Sequence, residues 1–330
     1  MNAKAAQETI PPPRLIASLR AGFDTVATHI GLILFPVVLD LFLWFGPHYQ
    51  LKTIFQAVIR QTSLLPRMDN AQMGDLIEAS QEFWKYMADH FNLASALRTF
   101  PIGIPSLMSS RFPVDTPLGQ PVFEDLGGLG GAVMGWLLFT LIGLVFGSLY
   151  FSSVSAAVAN EPKALTLARD LWAAVQSIIL SISWLVLLIA VTLPAIFLLS
   201  LLALVSPGIA QFATILFTII LAWVIVPLLF SPHGIFVYRQ NAFLSLLTSV
   251  RLVRFILPGT GLFFLSILLL SQGLDLLWQV PPANSWFSLV GITGHAFITT
   301  ALVAASFIYY RDAMRWVQDF LQRKLLPQAG

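Results

Sequence analysis

Residues 178–205 read IILSISWLVLLIAVTLPAIFLLSLLALV, and after Ser206-Pro207-Gly208 the chain resumes at 209–230 with IAQFATILFTIILAWVIVPLLF. Neither run holds an Asp, Glu, Lys or Arg. A helix crosses ~30 Å of hydrocarbon with roughly 20 apolar residues, and each run is at least that long. Both are too long and too uniformly apolar for the alternating strands of a barrel, so helix is the remaining way to pair the backbone in lipid. Working outward, four further apolar runs lie at 30–45, 132–151, 261–278 and 287–310. The six runs predict an all-α polytopic membrane protein with six transmembrane helices. Pro36, Pro194 and Pro227 fall inside spans and mark kinks, which neighbouring helices tolerate.

The rest of the composition agrees. Of 330 residues, 57% are hydrophobic and 10% charged, against about 45–50% and about 25% in ordinary soluble domains. A soluble fold of this size would need a charged surface that the chain cannot supply. Cysteine is absent, which excludes disulfides and thiolate chemistry and leaves the redox compartment unread. The N-terminal segment contains Pro11-Pro12-Pro13 and a polar amphipathic stretch rather than a basic tip and an apolar core. The first span is therefore expected to be a retained anchor, not a cleaved signal.

Charge placement orients the spans. With the N-terminus inside, 12 of the 18 lysines and arginines fall on the inner side, and the short outer loops at 206–208 and 281–285 hold none. The others lie in the long segment between spans one and two, where length weakens the positive-inside rule. Trp44, Trp278 and Trp286 mark the outer interface, and Tyr150, Tyr309 and Tyr310 the inner one. Both termini are expected in the cytoplasm.

Each odd-numbered span follows an amphipathic stretch. Leu15, Leu19, Phe23 and Val26 recur at helical spacing before span one. Leu165, Ala168, Leu171 or Trp172, and Val175 do so before span three, opened by Asn160 and Pro162. Phe243, Leu246, Leu247, Val250 and Val253 do so before span five, after Asn241. Arg20, Arg169, Arg251 and Arg254 on these stretches are expected to contact lipid phosphates. The chain then divides into three units of interfacial helix, span, turn and span, a possible threefold hairpin repeat. Any six-span chain also divides into three hairpins, and both readings stand.

The first unit carries a helical outer insertion, residues 47–126. Leu51, Ile54, Phe55 and Val58 make one amphipathic helix. Met73, Leu76, Ile77, Trp84 and Met87 make a second, started by Asp69 or Asn70. Phe100-Pro-Ile-Gly-Ile-Pro-Ser-Leu-Met108 is apolar but broken by Pro and Gly. It lies along the outer interface or dips in against protein, and the insertion as a whole reads as a cap.

Titratable residues inside spans are rare, expensive and functional suspects. Asp40, Asp275 and His295 are the strongly titratable groups placed there. At 1.5 Å rise per residue, both aspartates lie on the order of 5–9 Å below the outer boundary and His295 roughly 13 Å, with Gln272 and Gln211 nearby. Two readings stand side by side. The three converge on a polar site that relays protons or binds a cation, or each aspartate snorkels or caps a neighbouring loop near the interface. Gly127, Gly131, Gly135, Gly143 and Gly147 recur at multiples of four on span two and its approach. Such a stripe lets another helix, of this chain or a partner, come very close. No His-Glu-x-x-His or Gly-x-Ser-x-Gly occurs, and Gly127-Gly-Leu-Gly-Gly131 lacks the Gly-Lys-Ser/Thr of a phosphate loop. No catalytic residue, metal ligand or cofactor site is expected.

Pro36-Val-Val-Leu-Asp40-Leu-Phe-Leu-Trp-Phe-Gly-Pro47, within residues 22–47, resembles uncharacterised bacterial multi-pass membrane proteins. Ser231-Pro-His-Gly-Ile, then residues 241–254, then a span, is similar to the membrane domain accompanying some glycerophosphodiester phosphodiesterases, over about the last third of the chain. The resemblance implies a multi-pass protein of the bacterial plasma membrane. The catalytic barrel of those enzymes has no counterpart after the last span, so no catalytic role carries over. The expectation is an integral membrane protein without catalytic activity that handles lipids or assists a transport partner. Its partners would be membrane lipids and another membrane protein, not nucleic acid. The alternative is a secondary transporter or channel with an intramembrane site at Asp40, Asp275 and His295.

Overall fold

The computed structural model describes residues 10–63, 71–160 and 167–325. In chain order the helices are α1 (Leu15–Thr28), α2 (Leu34–Phe45), α3 (Lys52–Ser63), α4 (Ala71–His90), α5 (Met108–Arg111) and α6 (Leu129–Ala159). They continue with α7 (Leu167–Val205), α8 (Pro207–Ile225), α9 (Ser231–Tyr238), α10 (Ala242–Trp278) and α11 (Ser288–Leu325). Among the described residues there are also two short strands, β1 (His48–Gln50) and β2 (Phe123–Asp125), and three 3-10 helices, Ile30–Ile33, Leu93–Leu97 and Val226–Leu228.

Among the described residues, five helical stretches are long and apolar enough to cross a membrane: α6, α7, α8 with α9, α10 and α11. The segment Ile30–Phe45 joins them only as half of a pair with α1, bent by 92°. The chain is thus an all-α polytopic membrane protein with five long apolar helices, or six when the bent pair counts as one. α8 buries no residue at all, and Leu193, Phe197, Leu204 and Val205 at the far end of α7 are exposed. Such surfaces are stable only where the solvent is lipid.

The centre of the bundle is α11, which touches α1, α2, α6, α9 and α10. Ala301, Ala304 and Ala305 are fully buried along it. These small residues let helix backbones approach: a Cβ built on Gly22 of α1 would stand 2.4 Å from the Ala301 carbonyl oxygen. The bundle has two ends. One carries the insertion and the turn between α10 and α11, the insertion face. The other carries the ends of α6 and α9, the starts of α7 and α10 and the end of α11, the termini face.

The three approach stretches differ in build. α1 is a separate helix that buries Ser18, Gly22 and Val26. The second stretch is the unbroken start of α7, where Leu171 and Val175 face outward while Ala173, Ala174, Ser177 and Leu180 are buried. Pro162 and Leu165 of that stretch lie outside the described residues. The third is the first half of α10, which kinks at Ile256 (φ −125°, ψ 28°) two residues before Pro258. Proline removes a backbone donor and crowds the preceding turn. There Val253 is buried, whereas Phe243 and Leu247 are exposed. Of the arginines read as lipid contacts, Arg20, Arg251 and Arg254 are exposed and Arg169 is half-buried.

In the insertion α3 and α4 pack together through Phe55 and Trp84, whose rings stack at 5.7 Å. Asp69, Asn70 and the side chains of Met73 and Leu76 fall outside the described residues. The insertion also contains a parallel ladder that its helical reading missed. His48 pairs with Phe123, Tyr49 with Glu124 and Gln50 with Asp125, so its two ends are clasped together. His48 is buried, with Nε2 3.0 Å from the Leu43 carbonyl oxygen, and burial lowers its pKa.

Candidate functional site

The decisive element is a hairpin, residues 98–109, that descends from the insertion into the bundle. Its neck is closed by Arg98, whose Nη1 donates to Ser109 Oγ at 3.2 Å and to the Ser106 carbonyl at 3.4 Å. The 3-10 helix Leu93–Leu97 that leads into it and its own descending arm lie on α6 over the glycine stripe. A Cβ on Gly135 would meet Leu93, one on Gly143 would stand 2.3 Å from the Leu97 carbonyl oxygen, and one on Gly147 3.0 Å from Gly103 Cα. Gly147 lies past the midpoint of α6, so the hairpin dips deep against protein instead of lying along the surface. Its tip is packed as well: Ile102 is fully buried, and Phe100 meets Trp184 of α7 edge-on at 5.0 Å. The stripe therefore accommodates the same chain, first the short 3-10 helix Leu93–Leu97 and then the irregular backbone of the hairpin. Gly127 and Gly131 take no part. Gly127 precedes α6 at φ +70° with open space around it, and a Cβ on Gly131 would meet only the preceding Leu126 carbonyl.

Asp40 holds the returning arm. Its carboxylate accepts from Ser106 Oγ at 2.5 Å, Met108 N at 2.9 Å and Leu107 N at 3.1 Å. These donors open α5, so the carboxylate caps that short helix from a distant part of the chain. Asp40 is fully buried, and all its visible partners are structural.

Asp275 and His295 do meet, with Oδ1 2.7 Å from Nδ1. The helix crossing explains why. A Cβ on Gly294 would stand 2.7 Å from the Trp278 ring, and one on Gly291 2.5 Å from the Trp278 carbonyl oxygen. Without those Cβ atoms Trp278 lies flat on α11, which sets the preceding turn of α10, with Asp275, beside His295. His295 is 3% exposed, and its Nε2 is buried without a hydrogen-bond partner. With Nδ1–H donated to the carboxylate, a neutral ring presents Nε2 as a free acceptor. Gln272, three residues before Asp275 on α10, is exposed, and it does not line the cavity beside His295. Gln211 is exposed on α8.

Two cavities flank the hairpin. On one side His295, Thr299 and Ser306 of α11, Ser271 of α10 and Arg98 help to line about 300 Å³. Ser306 leads to a histidine that the sequence reading passed over: His233, whose Nε2 is 2.8 Å from Ser306 Oγ and whose buried Nδ1 has no partner. The signal was present in Ser231-Pro-His-Gly, but the apolar run ends at Phe230. On the other side, α2, α6 and the hairpin enclose a groove of about 480 Å³ lined by hydrocarbon, including Leu34, Phe35, Val38, Phe42, Leu97 and Phe146. Val38 and Leu34 are largely exposed there, so the groove opens sideways into the surrounding membrane.

Among the described residues no group of three His, Asp or Glu is placed to hold a metal ion. No family model, curated protein or solved structure matches this chain. The chain is an integral polytopic membrane protein, and its more specific role rests on the geometry above.

Proposed function

We propose that the chain is a non-catalytic lipid-handling or transport-accessory protein, acting on an acyl chain held in the groove between α2, α6 and the inserted hairpin. One observation carries this reading: the groove is walled by hydrocarbon and open laterally. Its volume lies within the roughly 300–1,000 Å³ typical of small-molecule sites, yet it offers a hydrophilic solute no hydrogen bond. An alkyl chain entering from the bilayer needs none. The surplus of Lys and Arg on the termini face supports placing both ends in the cytoplasm of a bacterial cell. α8, without a buried residue, supplies a surface for another membrane protein.

Val38→Trp tests the proposal, because Val38 is exposed and its enlargement fills the groove without entering the core. Full-length protein in vesicles carrying a phospholipid with a photoreactive acyl chain should be labelled on α2 and α6. Val38→Trp should lower that labelling several-fold. Uniform labelling around the bundle, unchanged by the substitution, refutes the groove as a site.

A second reading has its own support in the buried free Nε2 of His295, which suits a proton carrier in a transporter or channel. In that case His295→Gln should abolish a proton flux in proteoliposomes that Val38→Trp leaves intact. Absence of any proton flux by the wild type sinks it.

A further inference from the structure

α1 has two unlike sides. On one, Leu15 and Leu19 pack on the cluster that holds Tyr309 and Ala313 of α11, and Phe23 meets Phe297 at 6.1 Å between ring centroids. Gly22 abuts Ala301 and Ala305. On the other side, Ile16, Ala17, Arg20, Asp24, Ala27 and Thr28 share a sector of about 120° at 3.6 residues per turn. All six are exposed.

This exposed side lies deep. Residues 288–310 of α11 hold no Asp, Glu, Lys or Arg. At 1.5 Å per residue, Ala301 stands about 20 Å from the level of Ser288 and about 15 Å from that of Arg311. Gly22, packed on Ala301, is therefore near the centre of ~30 Å of hydrocarbon, and Arg20 and Asp24 lie two residues to either side of it. Arg20 Nε is 3.9 Å from Asp24 Oδ2, within ion-pairing range but too long for a hydrogen bond. Arg20 thus leans toward Asp24, away from the headgroups of the termini face, and the two side chains are 85% and 71% exposed. Charges turned toward acyl chains are expensive even when paired, and aspartate is too short to snorkel out. α7 and α8 show what this chain turns toward lipid: Leu193, Phe197, Phe212, Ile215 and Ile219. Alanine and charge in their place mark a side that meets protein.

We infer that two copies of this chain pair through α1, about a twofold axis along the membrane normal. One cation and one anion a turn apart make the face self-complementary. Where Arg20 meets Asp24 of the partner subunit, symmetry brings Asp24 to Arg20 of the partner subunit. Each charge then gains a second partner, and all four are enclosed away from lipid. Ala17, Arg20, Asp24 and Ala27 follow the three-and-four spacing of a helix-pair seam, and the two alanines let the backbones approach. A different membrane protein would have to bring both charges in matching order. No residue of α1 lines the acyl groove, so this inference stands or falls apart from that reading.

The test uses the full chain in native membranes. The chain has no cysteine, so Ala27→Cys supplies a single thiol and should give a disulfide-linked dimer under mild oxidation. Phe197→Cys, on the lipid-facing side of α7, should stay monomeric. Arg20→Asp or Asp24→Arg, each combined with Ala27→Cys, leaves two like charges on the face and should lower the dimer several-fold. Co-expressed with different tags, these two variants should cross-link to each other at the level of the Ala27→Cys parent, because an acidic face then meets a basic one. Both have lost the Arg20–Asp24 pair within the chain, so this recovery reports contact between copies and not repair of α1. An Ala27→Cys chain that stays monomeric, or links only to a protein of another mass, overturns the inference. Charge variants that each dimerise like the parent, or a mixture that fails to recover, overturn it as well.

Discussion

Asp40→Ala should release the inserted hairpin from the bundle. The carboxylate serves the Ser106 hydroxyl and the backbone N–H groups of Leu107 and Met108. The hydroxyl can rotate toward another acceptor, but the two N–H groups are fixed at the start of α5. A buried donor left without a partner costs about 1–3 kcal/mol, so two cost about 2–6 kcal/mol. Removing a buried charge returns part of this, and a net loss of about 2–4 kcal/mol is expected. Asp40→Asn should cost less, since its oxygen still accepts from Ser106 and Met108 while its amide meets the Leu107 N–H donor to donor. The chain has no cysteine, so Ile102→Cys reports the hairpin tip without background. Ile102 is 0% exposed, and a water-soluble maleimide should label Cys at that position slowly in the parent and rapidly after Asp40→Ala. The thermal midpoint in detergent should fall by roughly 3–6 °C for a chain of this length. An unchanged midpoint with unchanged labelling would show that Asp40 does not hold the hairpin.

Further outcomes follow from the same geometry. Gly143→Ala places a Cβ 2.3 Å from the Leu97 carbonyl oxygen and should destabilise by about 1–3 kcal/mol, whereas Gly130→Ala, with nothing within 4 Å, should be neutral; thermal midpoints separate them. Burial holds the His48 pKa below its ordinary 6.5, so the unfolded chain takes up a proton there before the folded chain does. Stability is then lost as pH falls below about 6.5, and His48→Gln should flatten the midpoint between pH 7.5 and 5.5. Asn284→Cys should react with an impermeant maleimide in intact cells and Gln322→Cys only after permeabilisation; the reverse pattern would invert the orientation.

The long helices were readable because lipid leaves the backbone one way to pair, and residues 178–230 show it without any tertiary information. What the hairpin does was only half readable. Pro101, Gly103 and Pro105 announce that the segment cannot be a helix, but its depth depends on Gly143 and Gly147, some forty residues later. Likewise, the donors that Asp40 serves lie 66–68 residues away, and no local pattern names them. The Asp275–His295 pair was within reach because both sit at similar depths on consecutive helices.

The hairpin also dictates an order of assembly. Residues 98–109 leave the ribosome before α6, yet their irregular backbone is tolerable at depth only against α6, α10 and α11, because bare lipid offers no partner for its peptide groups. The hairpin must therefore wait in water until its last wall, α11, is in place. Biogenesis of this chain then ends with a middle segment settling backwards into a finished frame, and the two flanking cavities come into existence only at that moment.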